Sequence, residues 1–255
     1  MKDCIAYFSA TVKTTAVTLV IHGLNVKPVA MQALVRWLNA NGSEVYLVQL
    51  CGHGREDVLK VTGGLWQEEV MDGYAAAQQA SVQQAVPLYF MGYSLGALLG
   101  QSIIGLQATQ PPFQKQVLFS PAIHLRKRSY LLRHLFFLGE GFRLPSFTPG
   151  GYRANRWLPL RLYKILYDEE KKLLATEGSL LNFPTLVFMD PKDELISYKS
   201  LQTLLQQRQL SQWQLVPLQT GLQGRRGKYH HLILDEETMG SANWQMVTTA
   251  MQAFL

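Results

Sequence analysis

The sequence predicts an α/β protein with a mostly parallel sheet covered by helices on both faces. Two observations carry that prediction: short β-rich apolar runs alternate with helical patterns along the chain, and most of the runs lie within a few residues of Gly, Pro or Asn. A third bears on chemistry, since one serine sits between a strand and a helix start in Gly92-Tyr93-Ser94-Leu95-Gly96. The composition agrees. The 255 residues are 47% hydrophobic, with 24 Lys+Arg against 18 Asp+Glu and only two cysteines, Cys4 and Cys51. That balance excludes a disordered chain, which lacks large apolar residues, and a disulfide scaffold, which needs many more cysteines.

The strands are read at Val17–Ile21, Val45–Leu50, Leu88–Met91, Gln116–Phe119, Thr185–Met189 and Trp213–Leu218. Between the first two, Pro28 opens a helix in which Val29, Ala33 and Trp37 recur at four-residue spacing until Asn41-Gly42 stops it. Further helices run from Trp66 toward Ala85, after Ser94, and from Tyr198 to Gln209. The last begins behind Ser241 as its cap and places Trp244, Val247, Met251 and Phe254 on one face. No internal repeat interrupts this order.

The stretch 124–178 breaks the rhythm. It shows no clear strand, holds Pro145, Pro149 and Pro159, and carries two apolar-basic helical patterns, Ser129–Leu138 and Leu158–Leu174. From His124 to Lys172 there are eleven Lys/Arg against four acids, a local charge of +7, while the rest of the chain nets −1. Such a shift marks a segment with its own role, so residues 1–123 and 179–255 are read as the core and 124–178 as an insertion.

No apolar run reaches the roughly 18 residues that cross a bilayer. Met1–Ala10 lacks a leader's apolar stretch, so a cytoplasmic location is expected. The histidines and cysteines fall at no diagnostic metal-ligand spacing, no phosphate-binding glycine loop is found, and no nucleic-acid motif accompanies the positive charge; neither metal, cofactor nor nucleic acid is expected.

The serine carries the functional weight. A residue on a strand-to-helix bend is held in a strained backbone conformation that exposes its hydroxyl, and glycines two before and two after remove side chains that would collide. The helix behind it directs free amides toward a developing oxyanion. An activated serine needs a base and the base an acid. After the strand Thr185–Met189 comes Asp190-Pro-Lys-Asp193-Glu194; Asp193 is favoured, because Asp190 touches the strand end and serves the turn before Pro191, and Glu194 should point elsewhere. The base is one of His230 and His231.

The chain order Ser94, Asp193, histidine resembles the α/β-hydrolase fold, and is most similar to its esterase and monoacylglycerol-lipase-like branch, also described as serine aminopeptidase or lysophospholipase-like. The resemblance extends over nearly the whole chain. Val17–Ile21 followed by His22-Gly23-Leu24 is similar to the family's strand ending in His-Gly, which implies that the Leu24 and Leu95 amides form the oxyanion hole. Gly52-His53-Gly54 resembles a structural loop of those enzymes. The family's His-x-x-x-x-Asp arrangement selects His230, five residues before Asp235. With at most one further strand in Cys4–Ala10, a six- to seven-stranded sheet is expected rather than eight.

The resemblance implies a serine hydrolase that cleaves carboxylic esters through an acyl-enzyme, with 124–178 as a helical cap whose residues, unassigned individually, supply the acyl pocket. The expected substrate is a small-molecule acyl ester or lipid. The basic cap, with Arg225, Arg226 and Lys228, motivates peripheral contact with an anionic membrane surface. An acyltransferase or amidase would use the same triad, and a noncatalytic lipid-binding member of the fold is the alternative outside enzymes.

Overall fold

A computed structural model describes residues 3–54, 57–106, 111–224 and 227–255. Arg225 and Arg226, counted above with the basic residues, lie outside the described residues, and so does the Lys228 side chain. The main sheet has seven strands: β1 (Ile5–Phe8), β2 (Ala16–Ile21), β3 (Ser43–Val48), β4 (Leu88–Tyr93), β5 (Lys115–Phe119), β8 (Thr185–Met189) and β9 (Trp213–Pro217). Their order is β1-β3-β2-β4-β5-β8-β9. Only the edge pair β1–β3 is antiparallel, with Ile5 opposite Val48; every other pair is parallel. The seventh strand comes from the N-terminal stretch expected to yield at most one.

Period-two alternation sorts the central strands onto two apolar layers. Val17, Leu19 and Ile21 of β2 pack with Trp66, Val70 and Tyr74 of α2 (Gly63–Gln84) and with Leu98, Leu99 and Ile103 of α3 (Leu95–Leu106). Val20 of β2 and Met91 of β4 face the opposite layer, with Leu34, Val35 and Leu38 of α1 (Gln32–Ala40) and Val247 and Met251 of α8 (Ser241–Phe254). All six residues of β2 are buried, as a strand covered on both faces must be.

Several boundaries differ from the sequence reading, among them the end of α6 (Tyr198–Gln207), two residues short of Gln209. The Pro28 helix begins as a 3-10 turn, Pro28–Met31, before α1. α2 starts three residues ahead of Trp66, where the Thr62 hydroxyl accepts the Leu65 amide at 3.1 Å. Ser241 is not a cap: Gly240, at φ 82°, holds that position and no side chain caps α8.

Between β5 and β8 no strand joins the main sheet. The Ser129–Leu138 pattern is a 3-10 helix, Lys127–Leu138, with no buried residue, followed by α4 (Leu160–Ala175) and the single-turn α5 (Gly178–Leu181). α-Helical stability comes mainly from burying an apolar face, and Lys127–Leu138 buries no residue fully, packing only the half-buried Tyr130 and Phe136 against Tyr167 and the core. The expectation of no strand here is corrected by a small antiparallel pair, β6 (Arg143–Pro145) and β7 (Trp157–Pro159). Three residues ending in proline are too few to show alternation. Hydrogen bonds to the rest of the chain tie this segment down. Asn25 exchanges hydrogen bonds with Asn155, through Oδ1 to its amide at 2.7 Å and Nδ2 to its carbonyl at 2.9 Å, and the Tyr152 hydroxyl donates to Asp235 at 2.9 Å.

Candidate active site

Ser94 lies between β4 and α3 at φ 50°, a left-handed conformation that costs an L-residue roughly 1–2 kcal/mol. The surrounding structure enforces it. The Ser94 amide donates to the Phe119 carbonyl at 2.9 Å, and the Ser94 carbonyl accepts the Leu98 and Ala122 amides. The flanking glycines are needed for close approach: a Cβ at Gly92 would lie 2.5 Å from the Ala97 Cα, and one at Gly96 would meet the carbonyl oxygens of Ile21 and His22.

The imidazole that meets Ser94 belongs to His231. Its Nε2 lies 2.9 Å from Ser94 Oγ and its Nδ1 2.7 Å from Asp193 Oδ2. Asp193 is fully buried, and its Oδ1 accepts the amides of Leu195 and Ile196, both at 2.8 Å. An ionised carboxylate there makes Nδ1 the donor and leaves the Nε2 lone pair for the serine hydroxyl. Burial pushes the His231 pKa down, but the Asp193 carboxylate, its hydrogen bond and the Glu194 charge outweigh it, so the net shift is upward.

His230, the histidine selected from the sequence, is not in this contact. Its Nδ1 bonds Asp190 Oδ2 at 2.9 Å, and its side chain is half-buried. The spacing to Asp235 misled because that aspartate is committed elsewhere. Asp235 caps α7 (Glu236–Met239) in a reciprocal box with Thr238, so its position fixes a helix start and not which imidazole turns inward.

Asp190 is the hub of a second polar cluster. It is buried; Oδ1 accepts the Lys192 amide at 2.7 Å, while Oδ2 accepts the Thr220 amide, the Thr220 hydroxyl and His230. Burial raises its pKa, and these hydrogen bonds more than reverse the effect, leaving it below the ordinary carboxylate value. Glu194, expected to point elsewhere, accepts the His230 and His231 amides on one oxygen at 2.9 and 3.0 Å. Neither role has a signature in local sequence.

Two buried histidines shape the loop after β2. The Leu50 amide donates to His22 Nε2 at 3.1 Å, so His22 Nδ1 carries the proton and donates to the Gly23 carbonyl at 3.0 Å. Since C=O and N–H of a trans peptide point oppositely, the Leu24 N–H is directed away from that histidine. The Asn25 amide likewise donates to His53 Nε2 at 2.8 Å. Burial, reinforced by the neighbouring His53, lowers the His22 pKa to about 3, and burial lowers that of His53 to about 4. Both rings are neutral structural groups. Leu95 opens α3, where the first amides have no intrahelical acceptor.

A mostly parallel sheet carrying a strand-to-helix serine beside a histidine–aspartate pair defines an α/β hydrolase. The family model for serine aminopeptidase, S33, matches residues 12–150, more than half of the chain, and the chain belongs to that family. No curated protein matches by sequence. Among solved structures, a metagenome-derived lipolytic enzyme is similar at TM-score 0.75 and 19% identity, covering 98% of this chain and 96% of its own. A Paleococcus ferrophilus monoacylglycerol lipase has TM-score 0.72 and 15% identity, with 100% of both chains covered. A soluble variant of the Saccharomyces cerevisiae monoglyceride lipase has TM-score 0.70 and 14% identity, covering 98% of this chain and 89% of its own.

Proposed function

We propose that the protein is a serine hydrolase of carboxylic esters with an apolar acyl chain, using Ser94 as nucleophile, His231 as general base and Asp193 as its orienting acid. The observation that carries this reading is the unbroken path Ser94 Oγ to His231 Nε2, and His231 Nδ1 to Asp193 Oδ2, at 2.9 and 2.7 Å. Ser94 attacks the ester carbonyl as its proton passes to Nε2; the imidazolium, stabilised by Asp193, returns that proton to the leaving alcohol. Water then repeats the sequence on the acyl-enzyme and frees the carboxylic acid and Ser94. The Leu24 and Leu95 amides are the proposed oxyanion donors, each contributing roughly 3 kcal/mol to the barrier reduction.

Residues 124–178 are the proposed cap, and two features of that segment support an apolar substrate met at an interface. Leu131, Phe137, Phe142 and Trp157 are exposed large apolar residues, and Lys127, Arg128, Arg133, Arg143 and Arg156 are exposed on the same segment. A greasy surface with basic residues suits an anionic lipid layer. Among the described residues no helix is long and apolar enough to cross a membrane.

The test is fluorophosphonate labelling beside a panel of acyl esters from two to sixteen carbons, monoacylglycerols and lysophospholipids. Wild type is expected to label and to hydrolyse the apolar esters, and Ser94→Ala to do neither. Labelling without hydrolysis, with acyl transfer to added alcohols instead, favours the acyltransferase alternative. Binding to anionic vesicles well above neutral ones supports the interfacial surface, and equal weak binding to both removes it.

A further inference from the structure

The base sits on a segment that the main sheet does not hold. Between β9 and α7 the only regular structure among the described residues is the three-residue pair β10 (Leu222–Gly224) and β11 (Gly227–Tyr229), and His231 lies just beyond it. Its backbone is instead gripped by two side chains from other elements. Glu194 Oε2, from the loop after β8, accepts the amides of His230 and His231 at 2.9 and 3.0 Å. Tyr93 Oη, at the end of β4, donates to the His231 carbonyl at 3.2 Å. Successive amides converging on one anionic oxygen form a nest, in which a formal charge strengthens each bond.

We propose that Glu194 is a positioning residue: its carboxylate holds the His231 backbone so that the ring spans Ser94 and Asp193, and its charge supports the imidazolium formed in turnover. The inference rests on the reading of Ser94, His231 and Asp193 given under Proposed function. Two separable contributions are involved. The first is geometric, because a base that loses its backbone anchor no longer keeps both ring contacts near hydrogen-bonding distance. The second is electrostatic, because Glu194 and Asp193 are the negative groups that favour protonated His231. Among the described residues the other groups around the ring are these. Tyr93 lies 5.4 Å away centroid to centroid and is neutral, held so by burial and by both carboxylates. Asp190 is engaged by His230. Arg126 and Arg128 donate to the backbone carbonyls of Asp193 and Glu194, leaving the carboxylate of Glu194 to the histidine amides.

Glu194→Gln and Glu194→Ala separate the two contributions. Glutamine keeps an oxygen that accepts both amides and removes the charge; alanine removes both. For Glu194→Gln the expected result is a kcat near wild type at alkaline pH and an acid limb of kcat/KM moved to lower pH, with the His231 imidazole titrating lower by NMR. For Glu194→Ala a fall in kcat of roughly ten- to a hundredfold per labelled site is expected, the scale of a reacting group displaced by about 1 Å, with KM changed much less. An unchanged acid limb and imidazole titration in Glu194→Gln overturns the electrostatic part. An unchanged kcat per labelled site in Glu194→Ala overturns the anchoring part. A purely structural role would lower melting temperature and the fraction that labels without moving the pH limb. Should Glu194→Ala not fold, Glu194→Gln still decides through the NMR titration. Failure of wild type to react with the fluorophosphonate refutes the reading of Ser94 itself, a result independent of either Glu194 variant.

Discussion

Two histidine–aspartate pairs stand side by side, and they do different things. His231 and Asp193 are buried, and the ring reaches Ser94. His230 and Asp190 have the same chemistry one and three residues earlier, yet that imidazole is half-buried and its aspartate also takes both donors of Thr220. In the proposed mechanism the first pair moves a proton; the second closes the loop that presents it. The difference lies in what each aspartate holds besides its histidine. Asp193 is fixed by two amides of its own loop and is free to orient a ring, whereas Asp190 bridges the loops after β8 and β9.

The sharpest break of that contrast is at the acids. Asp193→Asn is expected to lower kcat/KM by about 10³-fold or more, because an amide no longer fixes the tautomer that leaves Nε2 free. Steady-state ester hydrolysis checks it, and a loss below tenfold would argue against the assigned acid. Asp190→Asn is expected to act on stability instead, by about 2 kcal/mol in denaturant melts, since its oxygens meet four donors and an amide group offers some of them another donor. Its kcat per labelled site should stay within a few-fold of wild type.

The pH dependence separates the histidines in a second way. The proposed mechanism needs neutral His231, whose pKa is raised in the fold, so kcat/KM is expected to fall on the acid side with a midpoint above the ordinary 6.5. For stability the same group works in the opposite sense: its contribution is full below 6.5 and is lost as pH rises through the folded value. His22 and His53 are lowered to about 3 and about 4, so the unfolded chain takes up protons that the fold refuses. They therefore predict a stability that declines as pH falls from about 6.5 toward 4. Equilibrium unfolding across this range should show the decline, and His53→Gln should make it shallower. The smallest effect lies far from the site. Ala85 ends α2 at φ 53°, and Ala85→Gly should stabilise the protein by about 1 kcal/mol.

The strands and the serine bend were legible because each is written in local pattern: β2 is apolar at every position but Thr18, and the bend shows as Gly92-Tyr93-Ser94-Leu95-Gly96 between a strand and a helix, even though Gly96 is required by the distant Ile21 and His22 carbonyls. The choice between His230 and His231 was not, since the two differ only in which contacts from distant loops they receive. Glu194, Asp190, Tyr93 and Thr220 make that choice, and none is near the histidines in sequence except Thr220. The same holds for the segment between β5 and β8. Its apolar-basic pattern predicted two helices; Leu160–Ala175 buries a full face, with Leu162 and Leu173 buried, while Lys127–Leu138 reaches the core only through the half-buried Tyr130 and Phe136.

Reaction of a fluorophosphonate with wild type, His230→Ala and His231→Ala, followed as a rate, tests which imidazole activates Ser94. The rate for His230→Ala should stay within about threefold of wild type, and that for His231→Ala should fall by at least about a hundredfold, the lower bound for loss of a general base. A slow His230→Ala beside an unimpaired His231→Ala would contradict the assignment.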